Sequence, residues 1–187
     1  MAESVPFGSG PYLLMLALLL VARGADFLST WVATPNLALE ANPLAKKMGW
    51  KWGALINVLV CLLMACFPYT AIVIATMSVL VAARNFQSAW LMRSMGEHDY
   101  SHWYMARFRE ARLPLYLFCL AGQTVLVAGV GMGVVLSSGR PIPLAIGTGI
   151  VVYAGVVAFY SLLSVWRTRR GSNYTPPRFL DAHPDVE

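Results

Sequence analysis

Charge is what this chain has least of: Asp, Glu, Lys and Arg together make up 12% of its 187 residues, about half the share of a soluble domain. A water-soluble globule needs a far more polar surface, so that class is excluded. Histidine is nearly as scarce. The three imidazoles fall outside every long apolar run and form no repeated His boxes, which argues against a transmembrane haem protein and a desaturase-type diiron enzyme. No haem is expected. Cys61, Cys66 and Cys119 are odd in number and make no CxxC pair. That removes a disulfide frame and a thiolate zinc site, and leaves all three as small buried packing residues. The amino terminus lacks the basic region of a secretory leader, so the first apolar segment is expected to stay as an anchor.

What the chain has in abundance is hydrocarbon, with 58% hydrophobic residues and a mean hydropathy of +0.60. The expected fold is all-α, a polytopic bundle of five spans in a single domain over residues 1–170, with a disordered cytoplasmic tail at 171–187. The first span runs from about Tyr12 to Ala33, close to the ~20 residues that cross the hydrocarbon, and Pro35 stops it. From Gly53 to about Met92 the chain is apolar over about twice that length. Pro68-Tyr69 breaks this run into two helices, 53–67 and 70–92. Residues 97–112 are charged and aromatic and read as an interfacial helix lying on the membrane. Two further spans follow at 113–136 and 143–166.

Lys and Arg exceed Asp and Glu by 14 to 9, and the formal charge is +5. The excess gathers at Lys46 to Lys51, Arg93 to Arg112 and Arg167 to Arg170, and five spans put all three groups on one side of the membrane. That is the signature of topology, not of a nucleic-acid surface, and no nucleic-acid partner is expected. The positive-inside rule then places the carboxyl terminus in the cytoplasm and the amino terminus outside. Trp31, Trp50, Trp52, Trp90, Trp103 and Trp166 fall at that same cytoplasmic boundary, where indoles prefer to sit.

Polar groups inside the spans are few and therefore informative, because an intramembrane charge needs a partner or a wet cavity. Arg23, Asp26 and Thr30 share one helical face. Asn57, Arg84, Asn85, Ser88, Gln123 and Thr124 lie at comparable depth and are expected to converge with them on one cavity open to the cytoplasm. Arg84 is the expected partner of Asp26; the competing arrangement pairs Asp26 with Arg23 within its own helix and lets Arg84 snorkel to the interface. Beyond the first span, Glu40-Ala-Asn-Pro43 joins a carboxylate and an amide held extended by the proline. Such oxygens suit a divalent cation or a substrate hydroxyl or amine. They equally suit the cap of a short helix ending at Met48.

Asp26, Thr30 and Glu40-Ala-Asn-Pro-Leu44, followed by a basic residue and a new apolar helix, resemble the fingerprint of a family of small prokaryotic multi-pass membrane proteins of uncharacterised function. The resemblance covers about Asp26 to Phe67. It implies that Asp26, Glu40 and Asn42 belong together, and it carries no reaction.

His98 and His102 lie four apart on one helical face, the spacing of a metal-binding helix. A full site needs Glu97, Asp99 or the first loop to add ligands; the alternative places both imidazoles among lipid headgroups beside Trp103. Gly129-x-x-x-Gly133 and Ala154-x-x-x-Ala158 offer close helix contact within the chain or with a second copy.

The combined expectation is a pocket at the cytoplasmic face that binds or acts on an anionic lipid or polyprenyl-phosphate headgroup. Asp26 and Glu40 are its candidate catalytic groups, with Thr30, Asn42, Asn57, Arg84, Asn85 and Ser88 as ligand-binding residues. His98 and His102 are its candidate metal ligands, with a divalent cation as cofactor. The alternatives are a small transporter with Asp26 as proton or cation site, and a structural or assembly subunit. The expected partners are membrane lipid together with a second copy or another member of a membrane complex, in an inner membrane.

Overall fold

A computed structural model describes residues 4–38 and 43–170, with the backbone alone at 43–45 and 167–170. The described residues are helical, without strands, in six elements: α1 (Gly10–Ala33), α2 (Pro43–Met64), α3 (Pro68–Met95), α4 (Glu97–Glu110), α5 (Leu113–Ser137) and α6 (Pro141–Arg170). All but the 14-residue α4 contain a stretch long and apolar enough to cross a bilayer. The expected multi-pass bundle of five spans is therefore present, with α4 at the position of the interfacial helix. Glu40, Asn42 and the tail at 171–187 lie outside the described residues.

Local sequence explains the helix boundaries. Ser9 caps α1, its hydroxyl accepting from the Tyr12 amide at 3.4 Å and donating to the Pro6 carbonyl at 2.7 Å. Proline opens α3 and α6 and stands in the first turn of α1 and α5, where a missing N–H costs nothing. Residues 65–67 separate α2 from α3, so the long apolar run is two helices and not one kinked span. Within α2, Gly49 adopts φ 70°, ψ −177°, which divides a short helix at 43–48 from the spanning part. That short helix ends where the capping alternative for the Glu40 loop placed it.

The bundle forms around α3. One face of α3 is a stripe of small buried residues, Ala71, Ala75, Ser78, Ala82 and Ala89, which meets Tyr12, Leu19, Ala22, Ser29 and Ala33 of α1. The spacing of three, four or seven residues keeps both stripes in one seam, and the small side chains let the backbones approach closely. Another face of α3 packs on α6. Tyr12 Oη donates to the Leu62 carbonyl at 3.2 Å and the Val5 amide to Cys66 at 2.8 Å, which ties the first residues to the far end of α2.

α6 lies between α3 and α5, and two of its glycines show why. A Cβ on Gly149 would fall 2.8 Å from Thr76 Cβ and 2.9 Å from the Val73 carbonyl oxygen of α3; one on Gly147 would fall 2.7 Å from the Gly131 carbonyl oxygen of α5. Both approaches are too close for any side chain. Gly149→Ala should therefore destabilise the protein in spite of alanine's helix propensity, by about 1–3 kcal/mol. Gly155→Ala, where a Cβ meets nothing within 4 Å, should be neutral or stabilising. Thermal unfolding in detergent compares the two; equal midpoints would remove the close contact from the account.

Two sequence expectations change here. The glycine that carries the α5–α6 contact is Gly131, while Gly129 and Gly133 face open space. Cys61 is buried as expected, but Cys66 is half-buried, and Cys119 is exposed because α5 packs on no spanning helix but α6 to any extent and leaves most of its circumference bare.

Candidate functional site

Arg23 is the centre of the polar residues inside the bundle. Its Nε donates to Asn57 Oδ1 of α2 at 2.8 Å and its Nη2 reaches the same oxygen. Its Nη1 donates to Asp26 Oδ2 at 2.9 Å and to Ser78 Oγ of α3 at 3.3 Å. One guanidinium thus joins three spans, a task that its planar fork of donors suits and an ammonium does not. Asn57 is oriented for this by its own amide, which donates to the Gly53 carbonyl at 2.8 Å and turns the oxygen toward Arg23.

A second polar layer lies one turn further along α1. Ser29 and Thr30 both donate to the Asp26 carbonyl, at 2.8 and 3.0 Å, which leaves their oxygens free to accept from Asn85 Nδ2 of α3, at 3.2 and 3.3 Å. Ser88 turns back on its own helix, donating to the Asn85 carbonyl at 3.4 Å. Among the described residues no buried side-chain polar atom lacks a partner. Satisfied polar groups are what a low-dielectric setting demands.

The structure therefore brings together Asp26, Thr30, Asn57 and Asn85 and adds Ser29 and Ser78, which sequence reading passed over, while Ser88 contacts only its own helix. Both serines lie in the small-residue stripes of the α1–α3 seam, and that periodicity was the available signal. Arg84 does not join them. The ion pair at Asp26 is the local one with Arg23, and among the described residues none links Asp26 to Arg84. The reason is angular: Asn85 faces α1, and the preceding residue is rotated by 100° to the outside. Arg84 is exposed there, near Tyr104 of α4, whose phenol is pushed up in pKa by burial and by Tyr116 and Tyr100, with Arg84 offsetting only part of the rise. Gln123 and Thr124 also stand apart, because α3 and α6 separate α5 from α1. The Thr124 hydroxyl bonds its own helix at Leu120.

A second constellation sits at the end of the bundle where α1, α2 and α4 meet. Glu97, the first residue of α4, accepts from the Asn36 amide at 2.8 Å, from Asn36 Nδ2 at 3.3 Å and from the Ala38 amide at 3.1 Å. Trp50 Nε1 donates to the Pro35 carbonyl at 2.7 Å, and its ring meets Phe27 edge-on at 4.8 Å. These contacts hold residues 34–38 in a turn that includes Leu37 at φ 55°. Between this turn and the α3–α4 corner lies a cleft of about 740 Å³, lined by Asn36, Arg93, Glu97, His98, Asp99 and His102 among others. Arg93 has no ion-pair partner among the described residues.

His98 and His102 bring their Nε2 atoms to 3.4 Å. Two nitrogens held by one tetrahedral zinc at ~2.1 Å stand about that far apart. Asp99 approaches the other ring nitrogen of His98, Nδ1, at 3.9 Å, so it stands behind the ring and not beside the pair. No group of three or more His, Cys, Asp or Glu able to hold a metal occurs among the described residues. Among the described residues the pair has the spacing of a chelate without a third ligand, and Glu40 of the first loop lies outside them.

No protein-family model matches the chain, and neither a curated protein nor a solved structure matches it.

Proposed function

We propose that the protein binds an anionic lipid headgroup, of the phospholipid or polyprenyl-phosphate type, in the cleft between residues 34–38 and the α3–α4 corner. The observation that carries this reading is Arg93, which lines the cleft without an ion-pair partner among the described residues, while the neighbouring acid, Glu97, is already engaged by two backbone amides. A guanidinium in that position suits a phosphate, which it can grip through two parallel hydrogen bonds. The surroundings favour the same ligand. Lys47 and Lys51 of α2 and Arg112 before α5 gather toward this end, and each basic residue near an anionic bilayer surface contributes about 1 kcal/mol of attraction. On the positive-inside rule this end faces the cytoplasm. Asp26 then serves as counter-ion to Arg23 within the bundle.

The test is native mass spectrometry, with titration in nanodiscs of phosphatidylglycerol diluted in phosphatidylcholine. Retained anionic lipid should fall about tenfold for Arg93→Gln, the loss of one charge-assisted contact. Arg140→Gln, at the opposite end of the bundle, should leave it unchanged. Equal retention by Arg93→Gln and the unaltered protein would reject the cleft as the site.

A further inference from the structure

Gln123 is out of place. It is the eleventh residue of α5, a helix of 25 residues, so it lies about 15 Å in from Leu113, at the middle of a hydrocarbon layer about 30 Å thick. Its side chain is exposed and has no hydrogen-bond partner among the described residues. A carboxamide has two donors and an acceptor, and lipid tails offer it nothing. It does not face the polar residues of α1, α2 and α3, because α5 touches α6 and no other spanning helix to any extent.

The face around Gln123 has a regular composition. Cys119, Leu126 and Gly133 recur every seven residues and form a seam, flanked by Gln123 on one side and Gly129 on the other. All are exposed, Leu126 at 72%, and a Cβ on either glycine would meet nothing within 4 Å. Gly131, which packs against α6, is rotated about 80° past Gln123 and stands nearly opposite Gly129. The internal contact of α5 is thus complete, and its glycine-bearing outer surface is left over.

We propose that this face of α5 is a self-association surface on which a second copy of the chain docks, with the two Gln123 side chains hydrogen-bonded to each other across a twofold axis. The occupant follows from the chemistry of the amide. A carboxamide is its own complement, donor to acceptor and acceptor to donor, so an isologous contact satisfies both copies with one residue type. The glycines remove the side-chain bulk that would hold the two α5 backbones apart, and interhelical bonds from Gln within a membrane then fix the register. This surface is independent of the headgroup cleft.

The native thiol of Cys119, one helical turn from Gln123 on the same face, reports on this arrangement without an introduced probe. Membranes containing the full chain are treated with a short bismaleimide and analysed by mass. An adduct at twice 20.5 kDa is expected, and it should disappear in Cys119→Ser, which retains Cys61 and Cys66. Gln123→Leu should lower its yield about tenfold while Gln123→Asn keeps most of it. The far-ultraviolet circular dichroism and unfolding midpoint of the Gln123→Leu monomer should match those of the unaltered protein. Full-yield crosslinking of Gln123→Leu would overturn the amide contact. A Cys119 adduct only to a different protein, or none at all with single-copy particles in bilayer photobleaching, would overturn self-association.

Discussion

Replacing Arg23 with Gln should cost about 3–5 kcal/mol, the penalty for breaking a desolvated ion pair by removing one partner. The side chain holds Asp26, Asn57 and Ser78 at once, so its loss takes a cation from beside the Asp26 carboxylate and a donor from an amide oxygen and a hydroxyl. Arg23→Lys preserves the charge but not the fork. It should recover the Asp26 contact alone and fall between the two. Double substitutions separate the local pair from the distant one. Asp26→Asn combined with Arg23→Gln should be less damaging than the sum of the singles, because the first change removes the charge that the second strands. Asp26→Asn combined with Arg84→Gln should be additive, since Arg84 points away from α1. Unfolding in mixed micelles measures each variant. Rescue of Asp26→Asn by Arg84→Gln, and not by Arg23→Gln, would require a different arrangement of these helices.

The contrast between Arg23 and Arg84 marks how far sequence reading reaches in this protein. Hydropathy and proline placement found all five spans and the position of α4, because a backbone in lipid must be helical and a span must have a minimum length. Depth was also legible: Asp26, Asn57 and Asn85 were placed at a common level by counting residues from the helix ends, and they do meet. What counting cannot supply is azimuth. Arg84 and Asn85 differ by 1.5 Å in depth and by 100° in direction, and only the packing of α3 against α1 shows which one faces inward. Gln123 failed for a related reason. Its depth comes from the same count of residues, but nothing in the sequence says that α5 is the outermost helix of the row. Glu97 was recognised only as a spare metal ligand, because a carboxylate that caps a loop about 60 residues away leaves no local pattern.

That cap should produce the second large effect. Glu97→Ala removes every acceptor that holds the Asn36 and Ala38 amides, and hydrogen bonds to a charged group are the stronger kind, so exchange at both amides should rise about 10- to 100-fold. Glu97→Gln should separate them. Its carbonyl oxygen can still accept from Asn36, at the place of Oε1, while its amide nitrogen would meet the Ala38 N–H as donor against donor. Ala38 should then exchange faster than Asn36. The same variants bear on the headgroup cleft, where two effects oppose each other. Removing Glu97 takes a negative charge from beside Arg93, which favours an anion, and it also releases the turn that forms one wall. If the site depends on a preformed wall, Glu97→Ala should retain less phosphatidylglycerol than the unaltered protein despite its more positive cleft. Hydrogen exchange read by mass spectrometry, alongside lipid retention, decides the matter. Tighter lipid binding by both variants, with exchange at Asn36 and Ala38 accelerated as described, would mean that charge alone attracts the lipid and that the turn does not shape its site.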